Sequence, residues 1–173
     1  DIGITKSITG RGHEIDDNIG VYCLNSALCA CGGITGADGK KIIDKRRLGI
    51  DTRSLYAWLQ STKARWKILV LHHPLDWLTE WAERELRTIL RNHFTLCLSG
   101  HLHDQSAFHS ITDNTQLIEC SAPPLFTDKA GDLGYTIIRI DPDSGVTELA
   151  YRQWTKHRSF VSGVNFSNTD DGR

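Results

Sequence analysis

The sequence predicts an α/β fold, and three observations carry that expectation. Leu69-Val70-Leu71 and Leu96-Cys97-Leu98 are apolar runs that read as buried parallel strands; an amphipathic stretch of helix length lies between them; short apolar segments separated by turn residues follow residue 105. A strand, helix, strand order of this kind makes a βαβ unit with a right-handed crossover, so both runs end at the same edge of the sheet. The second half then reads as an antiparallel meander.

In chain order, residues 1–20 read as a loop, with Gly3, Gly10, Gly12, Gly20 and Asp16-Asp17-Asn18 and little periodicity. Val21 to Leu24 is a short strand ending in a turn at Asn25-Ser26. Thr35 to Arg47 is Gly- and Lys-rich and reads as a solvated loop without phosphate-loop spacing. Asp51 or Thr52 opens a helix with an inward stripe of Leu55, Trp58 and Leu59, ending near Ala64. Trp66 to Leu71 is the strand that delivers His72. Asp76 is read as the cap of a second helix, Trp77 to Asn92, whose inward stripe is Leu78, Trp81, Ala82, Leu86, Ile89 and Leu90. Trp77 is read as helix packing, with a pocket wall as the alternative. Phe94 to Leu98 completes the βαβ unit. The later strands are Ser106 to Ile111, Gln116 to Ser121, Tyr135 to Ile140 and Val146 to Arg152, and residues 155–173 read as a polar tail or linker after a domain spanning 1–154.

Composition narrows the function classes. The chain has 173 residues with 20 basic against 21 acidic side chains, so it carries no electrostatic footprint for nucleic acid. No segment reaches the roughly 20 apolar residues of a membrane helix. Five cysteines, an odd number with Cys23, Cys97 and Cys120 in apolar runs, fit reduced thiols and a cytoplasmic protein. Cys29-x-Cys31 lacks a second ligand pair at zinc-finger spacing and reads as structural.

The chemistry concentrates where the two central strands end. His72-His73-Pro74 follows the first and Gly100-His101-Leu102-His103 the second, and ligands of open α/β sheets bind at the carboxyl ends of the strands. In extended chain, residues i and i+2 share a side, so His101 and His103 can face one cavity, with Gly100 easing the turn. Neutral imidazole suits zinc, iron, copper and nickel. His13, Asn25 and His109 are weaker candidates: an exposed loop histidine, a turn residue and a packed strand histidine are the simpler readings. His93 lies at the wrong end of its strand.

These two clusters resemble the last two motifs of the calcineurin-like metallophosphoesterases. The resemblance implies a four-layer α/β/β/α sandwich, of which this chain would be the C-terminal part. It implies a centre of two divalent ions (manganese, iron or zinc) that hydrolyses a phosphomonoester or phosphodiester, with His72 and His101 on one ion and His103 on the other. In such sites the ions lie about 3.5–4 Å apart and activate water for in-line attack on phosphorus. Asp104 and His73 are placed as supporting residues that orient the ligands. The family's Asp-x-His, Gly-Asp-x-x-Asp and Gly-Asn-His-Asp/Glu motifs do not occur in residues 1–71. Three neutral histidines do not offset the repulsion between two dications, so the chain is expected to be a fragment, inactive alone. The absence of Met points the same way, and the polar end leaves room for a further domain after residue 173. The alternative is a non-catalytic metal-binding or protein-interaction module that retains the fold.

Overall fold

A computed structural model describes residues 8–102, 106–112, 115–126, 133–141, 143–144, 147–155, 157 and 159–162, with only the backbone of 106–112 and 115–116. The first sheet has six strands: β1 (Gly10–Glu14), β2 (Ile19–Leu24), β3 (Trp66–Leu71), β4 (Leu96–Ser99), β5 (Ser106–Thr112) and β6 (Thr115–Ser121). Their order is β1-β2-β3-β4-β6-β5. Strands β2, β3, β4 and β6 are parallel neighbours, and β1 and β5 close the two edges antiparallel. A second sheet is formed by β7 (Gly134–Ile140), β8 (Thr147–Trp154) and β9 (Phe160–Ser162), all antiparallel. The fold is thus α/β with parallel strands first and antiparallel strands after.

Helix α1 (Arg53–Ser61) joins β2 to β3, and α2 (Glu80–His93) joins β3 to β4. Two same-handed crossovers between successive neighbours put both helices on one face of the sheet. Tyr22, Leu69 and Cys97 stand in register across β2, β3 and β4 on that face, packed into one core with Leu55, Leu86 and Leu90 of the helices. Trp58 of α1 lies 5.4 Å from Tyr22 and 6.1 Å from Phe94, ring to ring, and bridges the two ends of this core.

Several boundaries differ from the sequence reading, each for a physical reason. Residues 10–14, expected as loop, form β1, because Gly12 admits the Trp58 ring where a Cβ would stand 2.2 Å from its Cδ1. Helix α1 stops at Ser61, where Thr62 turns extended, three residues before Ala64. Asp76 does not cap α2. Pro74 is followed by a tight 3-10 turn over Leu75–Trp77, Leu78 runs extended beside Leu48, and Thr79 is the cap, accepting from the Ala82 N–H at 3.4 Å. This later start rotates the helix, so Ala82, Leu86, Ile89 and Leu90 face inward while Trp81 is left 68% exposed.

The pair β5-β6 belongs to the first sheet, through β6 against β4, and is not part of the second. Leu96 and Cys97 are buried on opposite faces of β4, and a strand buried on both faces leaves an edge that needs a hydrogen-bonding partner. Phe160–Ser162, read as polar tail, pairs with β8 and sets Phe160 against Tyr135 and Trp154. All five cysteines are free, and among the described residues no helix is long and apolar enough to cross a membrane.

Candidate metal centre

The parallel register Leu24↔Leu71 brings the end of β2 beside the end of β3. Ser26, just past β2, is 1% exposed, and its Oγ accepts the backbone N–H groups of His72 at 3.2 Å and His73 at 3.0 Å. The same oxygen lies 3.2 Å from His73 Nδ1. Ser26 thus holds the His73 ring by its side chain and, through a backbone hydrogen bond, by its main chain. His73 is 4% exposed, and burial, then the neighbouring His101 and His72, hold its pKa below the ordinary histidine value.

From the next strand, the Gly100 N–H donates to the His72 carbonyl at 3.0 Å, locking the two strand ends together. The turn that follows is carried by His101 and not by Gly100: His101 has φ 71, and the Leu102 N–H closes onto the Gly100 carbonyl at 2.9 Å. A non-glycine residue in this region costs on the order of 1–3 kcal/mol, and such strain gathers at functional sites. Its effect is to aim the imidazole back over β3. Nδ1 of His101 lies 3.1 Å from Nε2 of His72.

One ring nitrogen from each of His72, His73 and His101 lies within 4.8 Å of the others. Zinc–imidazole bonds of about 2.0–2.1 Å in a tetrahedron separate two ligand nitrogens by about 3.3 Å, so the His72–His101 pair fits a shared ion of first-row size. Trp77 walls the group, its ring 4.1 Å from that of His101 and 5.7 Å from that of His73. Its indole N–H is buried and meets no acceptor among the described residues, a donor that a bound anion or water would satisfy.

Asp44 forms the far side. It is 6% exposed; Oδ1 accepts from the Cys31 N–H at 3.1 Å and Oδ2 from the Gly32 N–H at 2.7 Å. These N–H groups hold its carboxyl below the ordinary range. Gly32 allows the approach, since a Cβ there would stand 2.6 Å from Oδ2. Loop 27–44 thereby borders, together with the histidines, an open cavity of about 510 Å³.

Of the residues expected from sequence, His72 and His101 come together as foreseen from strand direction, and His73 stands directly beside them. His103 and Asp104 lie outside the described residues, as does the His109 side chain. His13 is exposed on the edge strand β1, opposite Val21 and two strands from β3. Asn25 makes a turn, Oδ1 accepting from the Ala27 N–H at 3.0 Å. Ser26 and Asp44 escaped the sequence reading; the one available signal was Ser26 at a strand end.

The strand-end histidines on a parallel sheet make a candidate metal site of an α/β protein. Residues 6–105, more than half of the chain, match the calcineurin-like phosphoesterase family, and the chain belongs to it. That family's chemistry is the metal-dependent hydrolysis of phosphoesters. No curated protein matches the chain.

Proposed function

We propose that this chain contributes the histidine side of a di-metal centre that hydrolyses a phosphomonoester or phosphodiester, with His72, His101 and His103 as ligands. The 3.1 Å approach of His101 Nδ1 to His72 Nε2 at the carboxyl edge of the parallel strands carries the reading, and His103 joins them by its place in the family motif. His73 and Asp104 are assigned to support. For His73 this rests on the Ser26 contact, which holds its ring in place beside His72 and His101.

Manganese, iron or zinc suits this donor set, and such an ion, when bound, supplies Lewis acidity and makes water acidic enough to react near neutral pH. The chain's own residues do the positioning. Ser26 fixes His72 and His73, the strained turn aims His101, and the Trp77 ring keeps water from one side. Among the described residues the cluster contains no carboxylate ligand, so full activity would need carboxylates from elsewhere and the polypeptide alone would be inactive. The same observation favours a second reading, a metal-binding module without catalysis. The free thiols support a reducing, cytoplasmic setting.

Metal analysis with hydrolysis of p-nitrophenyl phosphate and bis(p-nitrophenyl) phosphate tests this. Bound metal, with turnover once a carboxylate-bearing segment of the same family is supplied and both lost in His101→Ala, supports the first reading. Metal bound through His72 and His101 with no turnover even then supports the second, and the absence of any histidine-dependent metal overturns both.

A further inference from the structure

The cavity beside the imidazoles is larger than a phosphate group alone would fill, and its two sides differ in chemistry. At about 510 Å³ it lies in the range that encloses a small organic ligand. One side is the histidines; the other is Ala30, Ile42, Ile43 and the Trp77 ring. Ile43 is 66% exposed, so it serves no core, and an apolar side chain at a cavity mouth gains only when something apolar covers it.

Charge gives a second and independent constraint. Among the described lining residues there is no lysine or arginine. Just past loop 27–44, Lys45 pairs with Asp76 at 3.0 Å and Arg46 with Glu83. The acidic group in the wall, Asp44, is already satisfied by Cys31 and Gly32. A phosphomonoester carries about −1.5 to −2 charge at pH 7, and oxygens that point away from a metal centre are commonly gripped by arginine or lysine. A phosphodiester carries a single charge and brings a second organic group.

We infer that this cavity selects a phosphodiester bearing an uncharged apolar or aromatic ester group, seated on Ile42, Ile43 and Trp77, over a phosphomonoester. The inference rests on the metal-centre reading above and adds the ester class to it. Hydrolysis would add one water across one P–O bond, releasing the apolar alcohol and a phosphomonoester.

The test uses the full chain with Mn²⁺ at pH 8 and calorimetric titration of diphenyl phosphate, phenyl phosphate and inorganic phosphate. Diphenyl phosphate is expected to bind about tenfold or more tighter than phenyl phosphate. Ile43→Ser should erase most of that margin, and Ile43→Lys, which supplies the missing cation, should reverse it. Neither exposed-site variant should alter Mn²⁺ affinity. Equal or tighter binding of phenyl phosphate, or no response to either Ile43 variant while Mn²⁺ still binds, overturns the ester class and leaves the metal reading standing. Failure of Mn²⁺ to bind, or binding unchanged in both His72→Ala and His101→Ala, overturns the metal reading and this inference with it.

Discussion

Ser26 and His101 hold the site by opposite means, one by satisfying neighbours and the other by tolerating strain. Ser26→Ala would leave two backbone N–H groups and His73 Nδ1 without their partner in a buried place. We expect a loss of about 1–3 kcal/mol in urea unfolding. At His101 the φ of 71 is the determining quantity. Glycine adopts it freely and alanine does not, so the metal-free His101→Gly variant should be about 1 kcal/mol more stable than His101→Ala, although both lose the ligand. Equal stability in denaturant titration would show that the turn relaxes when the ring is removed. The histidines themselves stand out in sequence because Pro and Gly punctuate the strand ends. Ser26 does not, since its partners are 46 and 47 residues away and nothing local marks a serine as an acceptor for them.

The elements position these residues through close packing of α1 on β1 and β2 and of α2 on the sheet. Gly12→Ala would drive a Cβ into the Trp58 ring, whose nearest atoms would stand 2.2–2.5 Å away, and should cost about 1–3 kcal/mol. Gly100→Ala is the contrast. A Cβ there would meet nothing closer than 3.7 Å, so the change should stay within about 0.5 kcal/mol although the residue sits in the site motif. Thermal unfolding of the two variants side by side checks both values. On the wet side of α2, Arg87 bonds Glu83 at 2.9 Å and Glu119 of β6 at 2.8 Å, tying the helix to the strand that follows the site. The first of these pairs was legible as an i, i+4 spacing. The second was not, because the sequence leaves open which sheet receives β6.

For the molecule as a whole, metal and proton compete for the same edge. An ion present at a hundred times its Kd should stabilise the fold by about 2.7 kcal/mol, and a chelator should remove that gain. Because the folded protein holds His73 below the ordinary histidine pKa, the unfolded chain takes up the proton first as pH falls below about 6.5. Metal-free stability should therefore decline from pH 7 toward pH 5, and His73→Gln should flatten that slope in pH-resolved denaturant titrations. The sequence by itself determined the order of strands and helices around the site and the meeting of His72 and His101 at one edge. Alternation, helical stripes and crossover handedness are local or topological rules that need no coordinates. Only the tertiary structure decided that β5 and β6 extend the first sheet, that His101 carries the strained turn, and that Ser26, Asp44 and Trp77 flank the histidines with an apolar wall opposite. Those outcomes depend on contacts between residues far apart in the chain, where burial and hydrogen-bond satisfaction of the assembled fold select among partners that the sequence leaves equivalent.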